Sequence, residues 1–260
     1  MEAVDMNLYF ELLKKPVFTI EDVDQHYNNI HSARSAVGRL MREGLAVKIR
    51  NNMYTCISGE TGAPVANRFQ IASRVTPSSY VSHHTAMEYY GLTDQVYYEV
   101  YVSSETSFRD FEFDGYTYHY VKSKWRDGVV APEYSGGVVI TDKERTILDC
   151  IKDMDKIAGP EEVIQNISSM HSLQERRLLA YLDLYQNQFL YQKTGYLLQG
   201  LSGQLHLSDD FFEVCKSKVG KSKRYITSDM KSGSYNDEWR LVIPEGLLDM
   251  KNGVMEDAAV

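Results

Sequence analysis

Residues 17–57, VFTIEDVDQHYNNIHSARSAVGRLMREGLAVKIRNNMYTCI, constrain the fold more than any other stretch of this chain. Two helical patterns are separated by turn residues and followed by two β-rich runs. Thr19 is placed to cap a helix, with Asp22 three residues on as the acidic half of a capping box. Ile20 and Val23 then face inward, and that helix ends near Tyr27. Asn28 and Asn29 suit a turn, because Asn tolerates left-handed backbone. Ser32 is the expected cap of the next helix, which runs to Glu43, and Gly44 stands where a C-terminal glycine belongs. Ala33, Ala36, Val37, Leu40 and Met41 recur at the spacing of a core stripe. Residues 45–49 and 53–57 read as strands joined by Arg50-Asn51-Asn52. Upstream, residues 3–14 carry Val4, Leu8, Phe10, Leu12 and Leu13 in a helical pattern that Pro16 stops.

Helix, turn, helix and hairpin in that order predict a winged helix-turn-helix over 1–58, a module whose second helix fits the DNA major groove. The core stripe leaves Arg34, Ser35, Arg39 and Arg42 on the outer face. Arg34 and Ser35 lie in the first turn, which usually reaches base edges, and Arg39 and Arg42 are placed for phosphates. Lys48 and Arg50 make the hairpin basic, so Lys48, Arg50, Asn51 and Asn52 form the expected wing contact. Three helices and a hairpin also serve as protein-docking modules, and arginines on a helix can be a solvated face.

Charge separates these readings. The chain carries a net −8, which is unfavourable for a nucleic-acid binder. Residues 1–58 hold seven Lys/Arg and seven Asp/Glu, so the remaining 202 residues carry the whole deficit. Within 31–58 there are five basic side chains and one acid, Glu43. A basic footprint confined to the predicted reading surface favours DNA, and an acidic remainder confines the contact to that surface.

The rest predicts a larger mixed α+β domain over 65–260, joined by a Gly/Ser/Thr/Pro linker at 58–64. Helical patterns cover 65–75, 82–90, 142–154, 160–170, 174–187 and 189–200, with Thr141 as the expected cap of the third. Strand patterns cover 80–81, 96–103, 111–113, 116–121, 138–140 and 237–243, and Asp114-Gly115 is a strong hairpin turn. No apolar run approaches the ~18 residues of a membrane helix, so no membrane partner is expected. Acids near the N-terminus argue against a signal peptide. Cys56, Cys150 and Cys215 have neither disulfide nor zinc spacing, which suits a reducing cytoplasm.

The winged helix followed by PSSYVSHHTAMEYYGLTDQ (77–95), VYVSS (100–104), the Asp-Gly hairpin, GVVITDKERTILDCI (137–151) and KTGYLLQGL (193–201) resembles the AbiEi family. These are antitoxins of type IV toxin–antitoxin systems, also described as transcriptional regulators of viral defence. The resemblance spans roughly 5–245. It implies that the N-terminal domain represses its own promoter by binding an inverted-repeat operator, as a homodimer or as cooperative monomers. It implies that the larger domain counters a nucleotidyltransferase-type toxin, directly or indirectly. It matches Arg34, Ser35, Arg39 and the Lys48–Asn52 wing to the DNA-reading elements, and it names no toxin-neutralising residue.

Other chemistry is sparse. His83, His84 and Glu88 invite a metal reading, but only two of them face one way, so packing or hydrogen bonding explains them better. Asp142, Glu144 and Asp149 could be paired carboxylates, but their position in the first turns of a helix, and the different sides that Glu144 and Asp149 face, explain them without catalysis. Glu99 in a strand could serve a nuclease, though no matching lysine motif accompanies it. No catalytic role, metal or cofactor is expected. The alternatives are a metal-dependent nuclease using Glu99 and Asp142, or a regulator that senses a ligand through its larger domain. The tyrosines of 80–134 and 181–196 are the best candidates for a protein-binding face, unless they only decorate a sheet.

Overall fold

The computed structural model describes residues 5–27, 29–93, 95–157, 159–228 and 233–247. Val4 and Asn28 lie outside the described residues. In chain order the elements begin with α1 (Met6–Leu12), α2 (Ile20–Asp24), α3 (Ile30–Arg42), β1 (Ala46–Arg50), β2 (Met53–Cys56) and α4 (Arg68–Ala72). Then come β3 (Tyr80–Val81), α5 (His83–Tyr89), β4 (Glu99–Ser104), β5 (Phe111–Phe113), β6 (Tyr116–Lys122), β7 (Val129–Val130) and β8 (Ile140–Thr141). Helices α6 (Lys143–Lys152), α7 (Met154–Ile157), α8 (Pro160–Ser168), α9 (Glu175–Tyr185), α10 (Gln188–Gln199), α11 (Ser202–Leu205) and α12 (Asp209–Ser217) follow. The last strands are β9 (Arg224–Tyr225), β10 (Ser234–Asn236) and β11 (Leu241–Ile243). The fold is α+β, with mixed sheets.

The chain divides into two compact units, and the division does not follow the boundary expected at 58–64. The first unit is Met1–Val81, Tyr98–Trp125 and Ala131–Ile140; the second is Ser82–Tyr97, Arg126–Val130 and Thr141–Val260. Residues 58–64 form a closed turn inside the first unit. Ser58 N–H donates to the Ala63 carbonyl at 2.9 Å, and Val65 N–H returns to the Cys56 carbonyl at 2.9 Å. Ala66 N–H then bonds the Thr55 hydroxyl at 3.1 Å. Backbone groups satisfied in this way hold the segment in place, so it is no linker.

In the first unit, Leu8, Tyr9, Leu12, Phe18, Ile20, Val23, Ala33, Ala36, Val37 and Leu40 share one core. Phe10, expected inside, is 56% exposed, and Tyr9 takes the buried place with its hydroxyl on the Ile57 carbonyl at 2.7 Å. The Thr19–Asp22 capping box is present and closes a helix that stops at Asp24, short of Tyr27. Asn29, not Ser32, caps α3: its side chain accepts the Ser32 N–H at 2.9 Å. Both residue types cap well, and Asn29 has the extended backbone a cap needs. Gly44, at φ +71, closes α3 with Leu45 N–H on the Leu40 carbonyl and Gly44 N–H on the Met41 carbonyl, a Schellman pair. Met41, expected in the core stripe, is exposed.

The same unit holds β5, β6, β4 and β3 as neighbours in that order, followed by Ile140 of β8. β4 and β6 are parallel, as are β3 and β8, whereas β3–β4 and β5–β6 are antiparallel. Asp114 and Gly115 both have positive φ, +49 and +79, which is the type I′ turn their identities predict.

The second unit is mainly helical around a core that includes Ile147, Leu148, Ile151, Leu182, Leu198, Phe211 and Trp239. Asp142, rather than Thr141, caps α6. Three helices not expected from the sequence, α7, α11 and α12, are also present. Three short strands run β10–β11–β9. A Cβ on Gly195 would lie 2.1 Å from the Trp239 ring, so α10 carries glycine where the indole packs.

Candidate nucleic-acid interface

Burial sorts the faces of α3. Ala33, Ala36, Val37 and Leu40 face the core, while Arg34, Ser35 and Arg42 are exposed and Arg39 is half-buried. Gly38 lies on this side too, and a Cβ there would meet nothing within 4 Å, so the helix surface is open around it. On the hairpin, Lys48 and Asn51 are exposed. Among the described residues, no carboxylate lies within ion-pair distance of Arg34, Arg42 or Lys48.

Two of the expected wing residues turn inward. The β1–β2 register slips between Lys48 and Arg50, from Lys48↔Tyr54 to Arg50↔Met53. Such a bulge re-aims the side chains beyond it. Arg50 consequently lies over two phenyl rings, with its guanidinium carbon 5.4 Å from the Phe108 centroid and 5.0 Å from that of Phe111. Phe111 stacks in turn on the buried Tyr118, with centroids 4.6 Å apart and rings 2° from parallel. The Arg50 Nη1 is buried and carries no hydrogen bond. Burial also lowers the guanidinium pKa.

Asn52, at φ +54, occupies the left-handed position of the turn. Its side-chain oxygen accepts the Ile20 N–H at 3.0 Å, and its nitrogen donates to the Glu21 carboxylate at 2.7 Å. This bond is the main reason that the Glu21 carboxyl titrates below its usual range. Arg50 and Asn52 therefore fix the hairpin to β5 and α2. Phe108 and Phe111 are absent from any sequence-based site, because nothing local to 45–57 marks their approach.

The remaining candidates divide between the units. In the first, Glu99 is exposed and takes the Tyr101 hydroxyl at 3.3 Å, with His119 Nε2 at 4.0 Å. In the second, Asp142 accepts the Arg145 N–H at 2.8 Å, the Tyr181 hydroxyl at 2.7 Å and Arg177 at 3.3 Å. Glu144 accepts the Gln174 N–H at 2.9 Å, and Asp149 takes Arg145 and the Tyr185 hydroxyl. Tyr181 and Tyr185, expected to belong to a binding face, thus hold buried carboxylates instead. Tyr98 and Tyr134 are exposed.

His83 and His84 are both buried. His84 packs its ring 4.4 Å from that of Tyr97. His83 links the Ser82 hydroxyl, 2.8 Å from Nδ1, to Asp153, 3.5 Å from Nε2. Ser, His and Asp in that order resemble a nucleophilic relay, but Ser82 is fully buried and no substrate reaches its oxygen. Among the described residues, no group of three His, Cys, Asp or Glu side chains could hold a metal. Among them also, no helix is long and apolar enough to cross a membrane.

Neither protein-family models nor curated proteins match the chain. Among solved structures, it is similar to the crystal structure of the RV2827C protein from Mycobacterium tuberculosis, with 16% identity and a TM-score of 0.66, over 95% of this chain and 93% of that one. At such identity the likeness is one of fold, and it extends over both units.

Proposed function

We propose that this chain is a DNA-binding transcriptional repressor that also acts as the antitoxin of a type IV toxin–antitoxin system. The observation that carries the first half is the open face of α3, where Arg34, Ser35 and Arg42 are exposed, together with the exposed Lys48 of the hairpin. In this reading α1 to β2 form a winged helix-turn-helix. Arg34 and Ser35 meet base edges, and Arg39, Arg42 and Lys48 meet phosphates. Arg50 and Asn52 serve by orienting the hairpin.

Charge supports this division. The first unit holds 12 Lys/Arg against 14 Asp/Glu, and the second holds 16 against 22, so the stronger repulsion of phosphate belongs to the second. The antitoxin half rests on the AbiEi resemblance, whose motifs at 77–95, 137–151 and 193–201 fall largely in the second unit, while VYVSS at 100–104 and the Asp114-Gly115 hairpin fall in the first. The operator is an inverted repeat, read by paired copies of the chain. The toxin is a nucleotidyltransferase-type protein, and the setting is the cytoplasm.

The test separates the two halves. Arg34→Ala with Arg39→Ala is expected to abolish promoter binding in a mobility-shift assay and to leave protection against the co-expressed toxin intact. Retained operator binding would overturn the DNA reading, and lost protection would overturn the division of labour.

A further inference from the structure

A second basic feature of the first unit lies apart from α3 and the hairpin. A cavity of about 370 Å³ is lined by Lys14, Lys15, Pro16, Val17 and Asp22 from one stretch of chain, and by Gln70, Arg74, Gly136 and Gly137 from others. Its volume falls within the usual range of small-ligand sites. Three cations and one carboxylate line it. Lys15 is held by Asp22 at 2.8 Å. Lys14 and Arg74 are exposed and have no carboxylate within ion-pair distance among the described residues.

The far wall is a loop built to present backbone. Gly136 and Gly137 have φ of +68 and +92, and a Cβ on Gly136 would lie 2.3 Å from the Gln70 side-chain nitrogen. That nitrogen donates to the Gly136 carbonyl at 3.3 Å and pins the loop. The Gly136 and Gly137 amides carry no hydrogen bond to the described residues. Left-handed glycines whose amides have no partner among the described residues, lining the same cavity as two cations without a carboxylate, are elements of an anion-binding concavity.

We infer that this cavity, between Lys14–Lys15 and Arg74–Gly137, binds a small phosphorylated ligand of nucleoside-phosphate size. A polyanion suits the two unpaired cations, Lys14 and Arg74, and two amides better than a single carboxylate does, with Lys15 already neutralised by Asp22. The flanking Pro16 and Val17 supply an apolar wall for the non-phosphate part. The inference goes beyond the proposed function and is independent of it, because none of the DNA-reading side chains lines the cavity.

Calorimetric titration of the full chain with inorganic pyrophosphate and with a nucleoside diphosphate tests it. Saturable one-to-one binding of either probe is expected. Preference for the diphosphate would show that its nucleoside part is also held. Lys14→Gln with Arg74→Gln is expected to weaken binding at least tenfold, whereas Lys221→Gln, an exposed lysine of the second unit, leaves it unchanged. No saturable binding to the unmodified chain would overturn the inference, as would equal weakening by Lys221→Gln. If neither probe binds and the Lys14/Arg74 variant instead loses affinity for an operator duplex, the cavity is a contact for DNA backbone and the inference also fails.

Discussion

The guanidinium of Arg50 lies 5.0 Å from the centre of the Phe111 ring, so a cation read from the sequence as a wing tip is spent on an aromatic face of the same unit. A half-buried arginine over a ring contributes about 1–2 kcal/mol. Arg50→Ala is therefore expected to lower unfolding free energy by about that amount in urea denaturation. It should also reduce operator affinity less than Arg34→Ala does. A larger loss of affinity than stability can explain would return Arg50 to the DNA contact set.

Four phosphate- or base-facing cations remain in the proposed interface: Arg34, Arg39, Arg42 and Lys48. Of these, Arg39, Arg42 and Lys48 meet phosphates in the proposed reading, and counterion release then gives a slope of log K against log salt of about −3 for each copy of the chain on duplex DNA. Fluorescence anisotropy across a salt series checks this. A slope of about −10 per copy would mean that a much larger basic surface meets the duplex.

Gly195 sits in the middle of α10 with Trp239 against it. A helix interior would ordinarily be strengthened by alanine. Here the methyl would occupy space held by the indole, whose Nε1–H is anchored on the Gln199 side chain at 2.7 Å. Gly195→Ala is expected to destabilise by about 1–3 kcal/mol, read as a lower thermal midpoint. A raised midpoint would show that Trp239 can move aside.

Asp153 sets an acid-side dependence. Burial pushes its carboxyl upward, but the His83 hydrogen bond and the Lys152 charge outweigh burial and hold it below the usual carboxylate range. The stability it contributes is present above the unfolded value of about 3.9 and is lost as pH falls through the lower folded value. Asp153→Asn should thus be less stable than the parent at pH 7, and the gap should close below about pH 4. A gap that persists unchanged at pH 2 would assign the loss to packing instead of charge.

The parts of the fold that were legible in the sequence are those decided within a few residues. The Thr19–Asp22 box, the buried face of α3, Gly44 and the Asp114-Gly115 turn each rest on local backbone chemistry. The misplacements have equally physical causes. Ser32 and Asn29 are both good caps, and only backbone extension at 29 chose between them. The inward turn of Arg50 required a bulge and two phenylalanines distant in sequence, which no pattern within 45–57 could announce. Arg34, Ser35 and Arg42 were readable as outward-facing because helical periodicity alone separates them from Ala33, Ala36, Val37 and Leu40.

The interleaving of the two units limits how the molecule can be made and taken apart. The first unit is assembled from three pieces of chain, the last ending at Ile140, and the segment Ser82–Tyr97 between them belongs to its neighbour. A ribosome must therefore release residue 140 before the sheet beside the hairpin can be completed. No single protease cut and no early stop codon can liberate the first unit intact. A truncated product ending at residue 58 would retain Arg34 and Lys48, yet it would strip Arg50 of both its rings. On the proposed DNA-binding reading, such a fragment would compete for the operator more weakly than the full chain.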